Sequence, residues 1–350
     1  MKKLTHIQQL VIEHLRQNEA STAKLLMVLA QNDVTISEDS LVRHMAQLKD
    51  QGLIESSGKG PARRHHITDK GRLLSPFSDS DLNEYLSKDR EPIRYNPDWL
   101  TELTILELFE NEEKSELLDL ENKFRDFFTN TNNTIRDRWY QKWLIEFAWK
   151  SSAIEGNTYN VLETETLLLD RIEATGKSHA EAVMIINHQS AIRYVYDNRE
   201  SFIKPDTKLT KNIHSLLVNG LGVSSTVRDR GVGISGSVYR PLASKKEIQS
   251  ELERALMNIN SKQNIWSKTL AMVLSISYIQ PFEDGNKRTA RVMANGLLYA
   301  DNNIPLVFGN IDPTLYRRAC IAFYELGNAS IMKNILLDSW RETISELNNN

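Results

Sequence analysis

The sequence has 350 residues, a net charge of −3, 40% hydrophobic and 25% charged residues, values typical of a soluble globular protein with two or three domains. Such a small net charge excludes a protein whose whole surface attracts nucleic acid, and no apolar run approaches the length of a membrane span. The single cysteine, Cys320, excludes an internal disulfide, so we predict a cytoplasmic protein in a reducing compartment.

The first 74 residues differ from the rest in charge and in pattern. They carry 11 Lys and Arg against 8 Asp and Glu, a net charge of +3. Helical spacing of apolar residues predicts three helices up to Asp50, and two short strands joined by a basic loop follow them. This order resembles a winged helix-turn-helix domain with residues 37–50 in the position of the recognition helix. We therefore predict an α+β domain over residues 1–74.

The basic side chains of this segment are candidates for DNA contact. Two lie on the predicted recognition helix and three lie on or beside the predicted wing, namely Arg43, Lys49, Lys59, Arg63 and Arg64. Cations at these places can reach phosphates. The alternative is a domain for protein contact or dimerisation, because a net charge of +3 is modest and charge alone does not establish DNA binding. Both interpretations stay open.

A polar segment with Ser-Pro, Ser-Asp and Glu-Pro pairs predicts a linker over residues 75–92. Beyond it almost the whole chain has helical periodicity, which predicts a mainly α fold with an N-terminal helical part over 93–200 and a core over 201–350. The Gly- and Ser-rich segment 231–242 is the exception, because its interspersed Val and Ile predict a short β-hairpin. The predicted helices are 102–128, 134–155, 161–171, 179–198, 245–260, 266–279, 286–300, 312–325 and 329–345.

The segment 277–291 has the pattern most indicative of chemistry. It follows an apolar helix and opens another at a Gly-Asn turn, where unpaired backbone N–H groups favour an anion. Arg288 and Arg291 share one helix face and can both direct guanidinium groups at phosphates. Asp284 beside them is placed to hold Mg²⁺, which usually binds one carboxylate plus phosphate oxygens. The alternative, a capped helix with solvated arginines, becomes weaker with each fixed position of the pattern.

This segment resembles the signature of the Fic family, His-x-Phe-x-(Asp/Glu)-Gly-Asn-x-x-Arg-x-x-Arg. The matching positions are Phe282, Asp284, Gly285, Asn286, Arg288 and Arg291. The resemblance extends over residues 90–345, since 151–157 is similar to the family's inhibitory motif and 231–241 to its target-docking flap. It implies a Fic-type helical core that transfers AMP from ATP, with Mg²⁺, to a Ser, Thr or Tyr hydroxyl of a target protein. A dimer through the helical core is a further expectation from the family.

The resemblance also implies roles for the matched residues. Asp284 would bind the Mg²⁺ that bridges the α- and β-phosphates, and Arg288 would hold the β-phosphate region. Asn286 and the amides of the loop would hold the α-phosphate, and Arg291 would bind the γ-phosphate. The other predicted nucleotide-binding residues are Gly285 and Lys287 in the loop and Tyr239 on the adenine side.

The predicted flap has small residues and is expected to have a free strand edge. An extended target segment could add to such an edge and hold its hydroxyl over the α-phosphate. The predicted docking residues are Gly233, Ile234, Ser235 and Gly236. A plain surface hairpin is the alternative interpretation.

Gln280 stands where the family has the histidine that accepts the proton of the target hydroxyl. We place Gln280, Asn286 and Arg288 at the catalytic centre, but an amide has no useful basicity near neutral pH. Loss of a general base typically costs about 10²–10⁴ in rate. Three explanations stay open: a disabled variant, a natural member that only binds nucleotide, or a changed reaction. His214 and His188 are candidate substitute bases, although both are expected to pack between helices instead.

Ser151 and Glu155 lie four residues apart and therefore share one face of a helix that Gly156 is suited to end. By the family resemblance, Glu155 pairs with Arg291 and denies this arginine to the γ-phosphate, which leaves ATP in an unproductive pose. The alternative is an ordinary helix-end glutamate in solvent.

Two functions follow from these patterns. The leading one is a protein adenylyltransferase that Glu155 inhibits and that Gln280 impairs. The rival is a non-catalytic regulator, in which the winged helix binds DNA or a partner and the core senses ATP. Gln280 and the basic wing favour the rival, whereas the intact phosphate loop and Glu155 favour the enzyme.

Overall fold

The computed structural model describes residues 4–77 and 79–347. It confirms a mainly helical protein, with sixteen α-helices and four short strands in this part of the chain. The chain forms two compact units, residues 4–89 with 326–331 and residues 90–325 with 332–347. Within the described ranges, no helix combines the length and the apolar character needed to cross a membrane.

The first unit contains three helices followed by a pair of strands, in the order that the sequence predicts for residues 1–74, and then a short fourth helix that was not predicted. Each of these helices follows a Ser or Thr whose side chain accepts a hydrogen bond from the backbone N–H three residues on. The strands are antiparallel, with Ile54 opposite Ile67. The elements are α1 His6–Gln17, α2 Thr22–Gln31, α3 Glu38–Asp50, β1 Ile54–Ser57, β2 Arg64–Ile67 and α4 Asp69–Leu74.

A further helix, α5 Asp79–Ser87, lies within the predicted linker 75–92, of which residue 78 is outside the described residues. Ser and Asp favour helix starts as well as turns, so a composition rich in them does not separate the two. The segment 326–331 joins this unit through Asn328, whose buried amide donates to the carbonyls of Arg72 and Ser75.

The second unit is built from helices with two short strands. Its helices are α6 Pro97–Ile105, α7 Asn111–Asn130, α8 Asn133–Ala153, α9 Val161–Asp170, α10 His179–Asp197, α11 Thr207–Val218, α12 Lys245–Ser261, α13 Ile265–Ile279, α14 Asn286–Ala300, α15 Pro313–Leu326 and α16 Ser330–Leu347. The strands β3 Ile93–Arg94 and β4 Tyr239–Arg240 pair in parallel.

Two helices differ from the prediction. The expected helix 102–128 is broken into α6 and α7, because the carboxylate of Glu107 accepts from the backbone N–H groups of Leu108 and Phe109 and so stabilises a turn. Helix α11 was not predicted, since its first residues look merely polar. Asp206 caps it by accepting from the N–H of Leu209.

Helices α13 and α14 form the centre of this unit. All but two of the 15 residues of α13 are buried, as expected of a helix that is apolar on every side. In α14 the buried residues include Arg288 and Arg291, together with the small and apolar side chains around them. The predicted phosphate loop connects these two helices and therefore rests on the most buried part of the unit.

The predicted β-hairpin over residues 231–242 is wrong. The only strand there is β4, which pairs in parallel with β3 instead of with a neighbour in the same segment. A hairpin needs the N–H groups of one arm to pair with the other arm. Here the carboxylate of Glu325, whose side chain is 0% exposed, accepts from the N–H of Val238 and the hydroxyl of Ser237. The N–H of Val238 therefore bonds to a carboxylate of α15 and not to a second arm of the same segment.

Candidate functional site

The loop between α13 and α14 is anchored by one aromatic side chain and shaped by one glycine. Phe282 is fully buried and stacks on His214 with 3.6 Å between ring centroids. Gly285 caps α14 with a φ of 78°, and a Cβ at this position would approach Val218 Cγ1 to 3.1 Å. A side chain at this position would therefore press on the core, and the first turn of α14 contains no acidic residue.

Asn286 and Gln280 hold the loop through their side-chain amides. Asn286 Oδ1 accepts from the N–H of Phe282 at 2.9 Å, and Asn286 Nδ2 donates to Gln280 Oε1 at 2.8 Å. Gln280 Nε2 donates to the carbonyl of Ser277 at 2.6 Å. Both ends of the Gln280 amide are thus bound within the protein, and its backbone has a left-handed φ of 52°.

Arg288 and Asp284 form an ion pair at the edge of the site. The Arg288 guanidinium is almost fully buried and donates to Asp284 Oδ2 at 2.8 Å. The Asp284 side chain is 67% exposed, so its carboxylate faces solvent. Within the described ranges, no three His, Cys, Asp or Glu residues cluster in a way that could hold a metal ion by themselves. One exposed carboxylate fits an Mg²⁺ ion that takes its other ligands from phosphates and water.

Arg291 is completely buried and bound to the end of α8. Its Nε donates to Ser151 Oγ at 2.9 Å, and a terminal nitrogen donates to the Ser151 carbonyl at 2.8 Å and to Glu155 Oε1 at 2.9 Å. The chain leaves α8 through Gly156, which has a φ of 97°. The N–H groups of Gly156 and Asn157 return to the carbonyls of Ala153 and Ser152. This turn directs the Glu155 carboxylate back at the arginine.

Glu155 is held by two cations. Its second oxygen, Oε2, lies 3.0 Å from Lys287 Nζ, so each oxygen of the carboxylate has its own cation. Burial alone would raise the pKa of Glu155, but Arg291 and Lys287 together lower it to about 2. The carboxylate is therefore ionised at any pH near neutrality.

The two candidate substitute bases are both buried. Burial lowers the pKa of His214 to about 4 and that of His188 to about 3, so each is neutral near pH 7. His214 Nε2 lies 2.9 Å from the carbonyl of Asp284, which ties helix α11 to the loop. His188 Nδ1 lies 2.9 Å from the carbonyl of Met184, one turn earlier in α10. Both rings are therefore structural, since each is buried, neutral and placed next to a backbone carbonyl.

We call residues 231–238 the flap segment. Its predicted docking residues include Ile234, which begins a turn closed by a bond from the N–H of Ser237 to the carbonyl of Ile234 at 3.0 Å. Gly233, Ser235 and Gly236 are exposed. Tyr239, just beyond this segment, is fully buried, and its hydroxyl donates to the carbonyl of Tyr278. This places Tyr239 in an aromatic core and not at the predicted adenine face.

Two charged residues of this region were not predicted from the sequence. Glu325 anchors the end of the flap segment and pairs with Arg90 at 2.7 Å. Arg228 lies under the start of the segment and donates to backbone carbonyls of α13 and of the loop after it. The partners named here are each more than 50 residues away in the sequence, so no local sequence pattern predicts these contacts.

The basic residues proposed for DNA contact all lie in the first unit. Arg43 and Lys49 are exposed on α3, and Lys59 and Arg63 are exposed in the loop between β1 and β2. Arg64, at the start of β2, is half-buried.

The Fic/DOC family matches residues 204–298, which include the loop and the first part of the α14 helix described above. The chain contains a Fic domain. Among named relatives, the protein adenylyltransferase Fic of Aedes aegypti is 27% identical over 206 residues, 56% of this chain and 40% of the relative. The protein of the same name from Culex quinquefasciatus is 26% identical over 172 residues, 47% of this chain and 33% of the relative. The chain therefore spans less than half the length of these curated relatives.

Solved structures of Fic proteins are similar in fold to this chain. Fic-1 from C. elegans aligns over 99% of both chains with a TM-score of 0.59 and 12% identity. A Fic domain containing signaling protein from Bacteroides thetaiotaomicron aligns over 67% of this chain and 97% of its own, with a TM-score of 0.55 and 18% identity. At these identities the similarity establishes the fold alone.

Proposed function

We propose that this Fic protein binds ATP at the start of α14 and is built as a protein adenylyltransferase. The observation that carries the proposal is the grouping of Lys287, Arg288 and Arg291 on the first turns of α14, behind the Gly285 cap. Three cations at a helix N-terminus form an anion site that suits a triphosphate better than a single carboxylate. The named relatives, which are adenylyltransferases, support AMP as the transferred group.

Mg²⁺ would be held by the Asp284 carboxylate. This side chain is the exposed acid next to the cation group, and its present partner is Arg288. The ion would neutralise charge on the phosphates when bound. The protein's own residues then orient the triphosphate, because Asn286 holds the loop and the buried Arg288 donates to the carbonyl of Leu217 in α11.

Glu155 would act as the inhibitor of this site. It forms ion pairs with both Arg291 and Lys287. A γ-phosphate competing for Arg291 must displace an ionised, doubly paired carboxylate. ATP therefore binds without its γ-phosphate on Arg291 until Glu155 leaves.

Gln280 would leave the site without a base. Its amide is already bound to Asn286 and Ser277, and neither His214 nor His188 offers an exposed imidazole. The chemical step would then lack its proton acceptor, which typically costs about 10²–10⁴ in rate. We therefore infer a site that retains nucleotide binding and transfers AMP slowly.

Transfer of label from α-labelled ATP to the proteins of a cell lysate tests this function. Four chains are compared: the parent, Gln280→His, Glu155→Gly and the double variant. We expect strong labelling only in the double variant, and weaker labelling with Gln280→His alone. Adding Asp284→Asn to the double variant should abolish the label. Absence of label from the double variant, despite measurable ATP binding, would refute the adenylyltransferase proposal.

The second candidate is a nucleotide-sensing regulator that binds DNA. Gln280 favours it, as do the exposed cations of α3 and of the loop between β1 and β2. The test is binding to duplex DNA as a function of salt, in the parent and in Lys59→Gln/Arg63→Gln. Each lost phosphate contact should reduce the slope of log K against log salt by about 0.9. Salt-independent binding, or no binding, would contradict this candidate.

A further inference from the structure

We propose that Arg228 is a positioning residue that holds position 280 and the entrance of the flap segment in one fixed relation. This role rests on the proposed function, because it concerns how a target hydroxyl is presented to the site. Neither the sequence pattern nor the matched motif includes Arg228.

The contacts of Arg228 converge on the end of α13. Its side chain is 2% exposed, and Nε donates to the carbonyl of Gln280 at 2.6 Å. One terminal nitrogen donates to the carbonyl of Ile279 at 3.3 Å, and the backbone N–H donates to the carbonyl of Pro281 at 3.1 Å. One residue thus binds three successive carbonyls, those of positions 279, 280 and 281.

The charge of Arg228 is neutralised in an unusual way. A buried guanidinium commonly pairs with a carboxylate. In the described part of the chain no carboxylate lies within ion-pair distance of Arg228, and its side-chain partners are backbone carbonyls. Two of these carbonyls end α13, where the helix carries partial negative charge. A cation here stabilises the helix end and fixes its geometry, which an apolar side chain of similar size could not do.

Position 280 needs such support. Its φ of 52° and ψ of 59° lie in the left-handed region, which is unfavourable for a residue other than glycine. Strained conformations persist where surrounding contacts overdetermine them. The hydrogen bond from Arg228 to the carbonyl of Gln280 is one of these contacts. It fixes the direction in which any side chain at position 280 leaves the backbone.

The same guanidinium also reaches the flap segment. Its remaining terminal nitrogen donates to the carbonyl of Arg230 at 2.5 Å, and the flap segment begins at the next residue. A displacement of the flap entrance is therefore transmitted to position 280 through one rigid side chain. A target segment docked on the flap would meet position 280 at a fixed distance.

Amide hydrogen exchange tests the link without requiring any activity. The full chain is compared with Arg228→Gln, with Arg228→Lys and with the control Arg230→Gln, whose side chain is 70% exposed and pairs with Glu283. We expect exchange at the N–H groups of Gln280 and Ser237 to rise together, by about 10-fold or more, in Arg228→Gln and to stay unchanged in the control. If either N–H keeps its protection while the other loses it, the link is overturned.

Arg228→Lys keeps the proposal testable if Arg228→Gln fails to fold. Lysine retains the charge but has a single nitrogen, so it cannot span the carbonyls of positions 230, 279 and 280 together. We expect a smaller coupled rise at the same two N–H groups. If both N–H groups exchange as slowly in this variant as in the parent, the guanidinium fork is not needed and the proposal is overturned.

Kinetics test the positioning role in the Gln280→His/Glu155→Gly background. With lysate proteins as acceptors of label from α-labelled ATP, Arg228→Gln should lower kcat by about 10²-fold and leave the KM for ATP within about two-fold. An equal loss with Arg230→Gln, or a loss confined to the KM for ATP, would refute positioning. If the background itself transfers no label, the proposed function fails, and the exchange experiment alone decides the link.

Discussion

Replacing Glu155 by glutamine tests two effects of its contact with Arg291: the stabilisation of the fold and the proposed exclusion of a phosphate. The pKa of Glu155 falls from an ordinary value of 4.5 to about 2, in spite of burial, because Arg291 and Lys287 hold the carboxylate. This difference corresponds to about 3 kcal/mol of folding free energy. Because the pKa is lowered on folding, the stabilisation is complete above pH 4.5 and is lost as the pH falls towards 2.

We expect Glu155→Gln to lower the melting temperature at pH 7 by about 6 °C, at roughly 2 °C per kcal/mol for a unit of this size. The difference from the parent should shrink below pH 4.5. The matched control is Glu165→Gln, which changes an exposed glutamate of α9 and should leave the melting temperature within about 1 °C of the parent.

Ligands then reveal what Glu155 excludes. If a γ-phosphate takes the place of the carboxylate on Arg291, ATP should stabilise Glu155→Gln more than it stabilises the parent, with an affinity gain of up to about 100-fold. ADP lacks this phosphate and should stabilise both chains equally. Thermal shift across an ATP and ADP titration measures the difference. Equal shifts by ATP in both chains would refute the competition between Glu155 and the γ-phosphate.

Three further substitutions follow from the geometry. Gly285→Ala forces alanine into a φ of 78° and against Val218, so ATP binding measured by calorimetry should weaken and the melting temperature should fall by about 2–4 °C. Lys287→Met frees only one oxygen of Glu155 from a partly exposed pair, so its melting temperature should fall less than half as far as that of Glu155→Gln. Glu325→Ala removes the acceptor of two flap donors, so exchange at the N–H of Val238 should accelerate while ATP affinity stays unchanged.

Most helices of this chain were predictable from sequence because their buried apolar residues repeat at helical spacing. Helix α13 shows the strength of this signal, since almost all of its residues are apolar or small and buried. Helix α11 shows its weakness. Its first turn is polar, but Leu209, Ile213 and Leu217 repeat at helical spacing and are buried, so a short amphipathic pattern that begins with polar residues was overlooked.

The site was predictable where its chemistry is local. Gly285, Asn286 and Arg288 follow one another in four residues, and their geometry depends mainly on the start of α14. The approach of Glu155 to Arg291 was anticipated from the family resemblance, since the two residues are 136 positions apart. The hairpin was wrong because residue pattern does not reveal which group accepts from the N–H of Val238. Glu325 does so from 87 positions away, and Arg228 is a similar case.

Glutamine and histidine codons differ only in their third base, so the present site and one with an imidazole at position 280 are a single mutational step apart. The support of this position makes that step structurally simple. Arg228 donates to the main-chain carbonyls of positions 279, 280 and 281, which every amino acid has, and not to the side chain of Gln280. A variant with histidine at position 280 would keep these hydrogen bonds from Arg228. A variant without Arg228 would lose them. The main-chain support that a histidine at position 280 would need is therefore already present.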